Sequence, residues 1–139
     1  MYEKYGQFID GQWCQSSDKQ TYDVINPATE EIIGKASKAS QEDVDRALKS
    51  SEKGLNTWKK TPPWQRASIL RKIADTIREK RNVLAKWMTL ENGKPLAEGA
   101  AEVNGTADIF EWNAEETKRI YGQTIESRFE DTRVHVYYQ

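Results

Sequence analysis

Four successive stretches between residues 41 and 121 repeat apolar side chains at steps of three and four, and no other part of the chain has so firm a period. Such spacing puts one stripe of each stretch on a single face of an α-helix, so the middle of the chain is committed to helix. The first helix is expected over about 41 to 60. Ser40 and Asp43 have capping-box spacing, and Val44, Ala47, Leu48, Ser51, Leu55 and Trp58 follow in step. Thr61 is placed to cap the second helix, and Pro62 and Pro63 suit its first turn. Its stripe is Ala67, Leu70, Ile73, Ala74 and Ile77, running to about Lys80. "NVLAKWMTL" reads as a short third helix with Leu84, Trp87 and Met88 inward, stopped by Asn92-Gly93. Pro95 opens the fourth and longest, where Leu96, Ala100, Val103, Ala107, Phe110 and Ala114 run on to near Tyr121 and Gly122 supplies a left-handed cap.

The flanks read as strands. "QFIDGQWCQ" sets Asp10-Gly11 between Phe8-Ile9 and Trp13, and Asp-Gly supplies the positive φ angles of a type I′ hairpin turn. "TYDVINPATEEIIGKAS" offers a second pair around Asn26-Pro27-Ala28-Thr29, since proline presets φ in a turn and cannot donate to a ladder. Near the end, "RVHVYYQ" alternates Val134, Val136 and Tyr138 against His135 and Tyr137. It reads as a strand with no nearby partner, and an open ladder edge of that kind needs pairing or protection.

Composition removes several function classes. Lys plus Arg number 21 and Asp plus Glu 22, a net charge of -1, which gives no electrostatic footprint for nucleic acid or an anionic membrane. No apolar run is long enough to span a bilayer and "MYEKYGQF" has no signal-peptide core, so the expected location is cytoplasmic. One cysteine, Cys14, excludes an internal disulfide, and with one histidine there is little material for a zinc cage. Only 37% of residues are apolar, lean for a self-sufficient core, while five tryptophans and six tyrosines argue for order. The expectation is an ordered piece whose full core lies elsewhere, oligomeric or prone to aggregate when isolated.

Individual residues yield no complete catalytic set. "ENGKP" has neither the spacing of a Walker loop nor the strand that must precede one, so it reads as a helix joint. Cys14 has no base evident nearby. His135 reads as a half-exposed sheet residue. Glu111, Glu115 and Glu116 beside Lys118 and Arg119 read as a solvated helix face.

Taken in order, "FIDGQW", "VINPATEEIIG", "SQEDVDRALKSSEKGLNTWKKTPPWQRASILRKIADTI", "MTLENGKPLAEG" and "EWNAEETKRIYGQTI" resemble the N-terminal quarter to third of the NAD(P)-dependent aldehyde dehydrogenase superfamily, and within it the succinate-semialdehyde dehydrogenases. The resemblance implies an α/β fold of which this chain is the N-terminal part: antiparallel β-hairpins, then four helices that flank a Rossmann-like sheet, then the first strand of an oligomerisation arm. Residues 1–122 would belong to the cofactor-binding domain and 123–139 to the arm. It further implies oxidation of an aldehyde, in first place succinate semialdehyde, with NAD or NADP, in a dimer or tetramer. The family's cysteine nucleophile, oxyanion-holding asparagine, water-activating glutamate and glycine-rich cofactor turn all fall beyond Gln139, so the chain by itself is expected to be inactive. Two family roles map here. A structural monovalent cation would take the backbone carbonyls of Val24 and Ile25 and the Glu91 carboxylate, an oxygen donor set suited to a hard ion; the alternative is that Glu91 only finishes a helix. Ala101 and Gly105 would form part of the substrate-tunnel wall. The rival reading is a stand-alone, truncated, non-catalytic homologue that associates through its exposed strand.

Overall fold

The computed structural model describes residues 5–138, with six short strands and four helices. Strands β1 (Gln7–Ile9) and β2 (Gln12–Cys14) pair antiparallel, Phe8 opposite Trp13, and Asp10 and Gly11 take φ of 54° and 77°, the two positive values that a type I′ turn demands. Strands β3 (Thr21–Ile25) and β4 (Ile32–Ser37) form the second hairpin, with a register shift between Val24 and Ile25. Its turn is tied by Asn26: the side-chain oxygen accepts from the Ala28 N–H at 3.0 Å, and the carbonyl accepts from Glu30 at 2.8 Å.

Helices α1 (Gln41–Trp58), α2 (Pro63–Glu79), α3 (Arg81–Asn92) and α4 (Leu96–Glu116) follow as the periodicity predicts. Helix α4 packs along α2 and α3 through small side chains: Ala67, Ala74, Ala85, Ala100, Ala107 and Ala114 are buried, and Val103 is the one larger member of that core among the described residues. Small residues let helix backbones approach closely, which concentrates dispersion contacts without needing bulk. Arg78 of α2 bridges to Asp108 at 2.8 Å and Glu111 at 2.6 Å on α4, and Arg71 pairs with Glu115. No helix among the described residues is long and apolar enough to cross a membrane.

Three sequence expectations need correction. Thr61 does not cap α2; its hydroxyl donates back to the Thr57 carbonyl at 3.0 Å and closes α1, while Pro62 occupies the cap position. Helix α4 ends at Glu116, followed by a single 3₁₀ turn over Thr117–Arg119, and Gly122 is not among the positive-φ residues. The glycine serves close approach instead, because a Cβ there would lie 2.2 Å from the Val136 carbonyl oxygen. The strand read as partnerless is paired: β6 (Arg133–Val136) lies antiparallel to β5 (Gln123–Glu126), with Ile125 opposite Val134. Its partner "QTIE" is too short to register as a period. The α1 stripe, by contrast, is left uncovered by the described residues in keeping with a core completed elsewhere: Val44, Leu48, Leu55 and Trp58 are all exposed, as is Leu96 of α4.

What fastens the hairpins to the helices is a carboxylate. Asp43, in the first turn of α1, is 1% exposed. Its Oδ2 accepts from the Ser40 N–H at 3.0 Å, the Ser40 hydroxyl at 3.0 Å, the Ser16 hydroxyl at 3.1 Å and the Ser17 N–H at 3.2 Å. The Ser40 hydroxyl in turn accepts from the Asp43 N–H at 3.2 Å, which completes a capping box. Ser16 and Ser17 follow β2, and the Ser16 N–H donates to the Ser37 hydroxyl of β4 at 2.9 Å, so both hairpins meet at one side chain. A buried charge survives only where hydrogen bonds replace its lost water. The Ser40 N–H above all, then the Ser17 N–H and the two serine hydroxyls, hold the Asp43 carboxyl well below the usual carboxylate range, against the burial that pushes it up.

The sign of the pH dependence follows. A depressed folded-state pKa means that the ionised carboxylate stabilises the fold fully above the unfolded value, and that this share is lost as pH falls below it. Urea midpoints measured from neutral pH down to about pH 2 are expected to drop steeply below the ordinary aspartate value of 3.8. The Asp43→Asn protein is expected to start from a lower midpoint and to lose less on acidification; parallel curves would contradict this role.

Candidate functional site

The segment that ends α3 and the turn of the second hairpin are far apart in sequence and adjacent in space. Gly93 caps α3 in the left-handed conformation at φ 68°, ψ 11°, and its N–H reaches the Thr89 carbonyl at 2.8 Å. A Cβ at Gly93 would sit 3.0 Å from Pro27 Cγ and 3.2 Å from the Ala28 nitrogen, so the joint backs directly onto the Asn-Pro turn. Alanine there would meet both that crowding and the left-handed penalty of about 1 kcal/mol or more. Asn92-Gly93 is therefore a helix stop, as the sequence suggests, and also the surface on which the hairpin rests.

This contact joins the segment that carries Val24 and Ile25, just before the turn, to the one that carries Glu91, just before the joint. The β-bulge lies between Val24 and Ile25, where Ile33 is the extra residue on the facing strand. Val24 is half-buried, whereas Ile25 and Glu91 are exposed. Two backbone carbonyls and one carboxylate are an all-oxygen set, which suits a hard monovalent ion and not zinc or copper. Among the described residues, no group of three or more His, Cys, Asp and Glu side chains could hold a metal by themselves. Glu91 also borders a shallow cleft of about 340 Å³ with Trp87, Met88, Val103 and Thr106.

Ala101 and Gly105 lie on α4 away from its buried row of Gly99, Ala100, Val103 and Ala107, and both are exposed. A Cβ at Gly105 would meet nothing within 4 Å, so this flank is open. Ile109 and Trp112 continue the same flank at helical spacing and are 64% and 70% exposed. The sequence reading named the two small residues and missed the two large ones, although their i+4 and i+7 spacing from Gly105 places them on the same face.

The remaining candidates take structural roles. Cys14 is half-buried, its thiol donating to the Gln7 carbonyl at 3.5 Å and receiving Arg46 Nη2 at 3.4 Å; no base adjoins it. His135 Nδ1 lies 3.1 Å from the Thr124 hydroxyl across the third hairpin. Glu115 pairs with Lys118 at 2.6 Å and with Arg71, which keep its carboxyl below the ordinary value, Lys118 foremost. Glu111 and Glu116 are paired with Arg78 and Arg119. These are surface pairs and individually modest. All three sheets are two-stranded and antiparallel. A dinucleotide cradle needs a parallel strand leading through a glycine turn into a helix, so these residues do not fit a nicotinamide cofactor.

Comparison with known proteins supplies what the site alone does not. Residues 13–139 match the model of the aldehyde dehydrogenase family. Glutarate-semialdehyde dehydrogenase of Pseudomonas aeruginosa is 41% identical over 129 residues, covering 93% of this chain and 27% of that protein. The NADP(+) succinate-semialdehyde dehydrogenase of Escherichia coli is 38% identical over 128 residues, covering 92% and 27%. The chain thus spans little more than a quarter of the curated relatives it matches. A crystal structure of an E. coli NADP-dependent enzyme superposes with a TM-score of 0.89 at 36% identity, over 95% of this chain and 27% of that one. With the family model matched over residues 13–139 and the fold superposing over 95% of its length, the chain belongs to the aldehyde dehydrogenase family.

Proposed function

We propose that these residues are the N-terminal part of an NAD(P)-dependent dehydrogenase that oxidises the semialdehyde of a short dicarboxylic acid, succinate semialdehyde in first place, to the diacid. The observation that carries this reading is the similarity to succinate- and glutarate-semialdehyde dehydrogenases over more than nine-tenths of the chain. The thin alanine core and the outward-facing large apolar residues support it, because such faces suit packing against further parts of a larger subunit. In this reading residues 1–122 form the outer layer of the cofactor-binding domain, and 123–139 open the oligomerisation arm of a cytoplasmic homo-oligomer. The cofactor, NAD or NADP, and the catalytic residues lie outside the 139 residues.

Two local roles go with it. Val24 and Ile25 carbonyls and the Glu91 carboxylate hold a structural monovalent cation, which would fix the Asn-Pro turn against the α3–α4 joint. Ala101 and Gly105 leave room along one wall of the substrate tunnel, with Ile109 and Trp112 continuing that flank. Support for the cation role is the packing of Gly93 on Pro27 and Ala28, which holds the two contributing segments together.

For substrate, steady-state rates of the full-length enzyme are compared on succinate semialdehyde, glutarate semialdehyde and uncharged aldehydes of equal length. A site that pairs the distal carboxylate is expected to favour the charged substrates in kcat/KM by about 100-fold or more. Equal rates on uncharged aldehydes would contradict the assignment. The 139-residue chain assayed alone is expected to give no NAD(P)H; turnover by it would overturn the placement of the catalytic residues. For the cation, replacing potassium and sodium by tetramethylammonium is expected to lower the thermal midpoint of the wild type by a few degrees and to leave Glu91→Gln unchanged. Equal shifts in both would remove Glu91 from the site.

A further inference from the structure

Hairpin β1–β2 and helix α1 do not close fully on each other. Between them is a cleft of about 360 Å³, a size that accommodates a small organic ligand. Arg46, Lys49, Ser50 and Lys53 line it from α1, and Asp10 and Cys14 from the hairpin. The three cations fall at i, i+3 and i+7, so they form one row along the helix facing the hairpin.

That row lacks counter-charge. Among the described residues, no carboxylate is within ion-pair distance of Lys49 or Lys53, and Arg46 reaches Asp43 only at 3.5 Å. Asp10 is the single acid in the lining, and its Oδ1 accepts the Ser50 hydroxyl at 3.1 Å. Lys49 and Lys53 are four residues apart, a spacing at which like charges destabilise a helix. Elsewhere the same molecule places acids opposite its bases, as Asp108 and Glu111 are placed opposite Arg78. A half-enclosed cleft with three cations, one occupied carboxylate and a hydroxyl has the complement of a multiply charged anion.

We propose that this cleft binds the phosphoryl group of a small phosphorylated anion, held by the Arg46 guanidinium and the Lys49 and Lys53 ammonium groups. The guanidinium matches two phosphoryl oxygens in its fork, and the lysines neutralise the second charge. The site is separate from the Glu91 region and does not depend on the semialdehyde reading.

Cys14 in the cleft wall provides the readout. N-ethylmaleimide labelling of Cys14 is followed on the tryptic peptide 5–19 of the full-length protein, with inorganic phosphate as probe and sodium chloride at matched ionic strength as control. Phosphate is expected to slow labelling about fivefold at four times its Kd, the factor 1 + [L]/Kd of simple occupancy. Chloride is expected to have little effect. The Lys49→Gln/Lys53→Gln protein is expected to lose this protection with its thermal midpoint no lower than the wild type's, both side chains being exposed and their mutual repulsion removed. Equal slowing by phosphate and chloride, no slowing in the wild type, or protection that survives the double substitution would each overturn the proposal.

Discussion

One buried carboxylate sets the arrangement of the first sixty residues. Asp43 sits where three segments meet: the end of β2, the start of α1 and, through Ser16 and Ser37, the end of β4. The hairpins have little apolar surface to spend on the helices. Phe8 and Trp13 stack on one another 5.1 Å apart and are both mainly exposed. Without a hydrophobic seam, orientation falls to directional bonds, and a carboxylate that receives two N–H groups and two hydroxyls is well suited to impose it. The same requirement explains the serines at 16 and 40, whose hydroxyls reach the carboxylate, while position 17 contributes its backbone N–H.

The helical layer follows a different rule. Its buried core is built mainly from alanine, with Ile77, Leu84 and Met88 packed half-buried against it, so α2, α3 and α4 lie close together while Trp64, Ile69, Leu96, Ile109 and Trp112 are exposed. Burying alanines releases little surface, and helices joined largely in this way have a slender margin over chain entropy. The Arg78 bridges and the Arg71 pair add orientation at the α2–α4 seam more than they add stability. The layer is thus well ordered internally and apolar externally, the combination expected of a wall in a larger subunit and consistent with family relatives nearly four times as long.

Much of this was legible in the residues. The Ser40–Asp43 spacing, the Asp10-Gly11 turn and the Asn92-Gly93 stop each have a local cause, and each is found where it was expected. Long-range consequences were not legible. Nothing in the string marks Asp43 as the acceptor for Ser16 and Ser17, because those partners are 26 and 27 positions away. The β5 strand escaped notice because four residues cannot establish a period, and Gly122 was assigned a conformational role when its contribution is the space it leaves for Val136. At the candidate site, Glu91, Val24 and Ile25 came from family resemblance; the structure adds the Gly93–Pro27 contact, which no spacing rule contains.

If Asp43 is what fastens the first hairpin and the end of the second to α1, loosening it must release them without loosening the helices that have their own core, even though the Asn-Pro turn still rests on Gly93. Amide hydrogen exchange of Asp43→Asn against wild type, resolved by segment at neutral pH, measures this directly. The account predicts faster exchange across 7–37 and the first turn of α1, with protection in α2, α3 and α4 unchanged. Uniform loss of protection over all segments, or none in the hairpins, would contradict it.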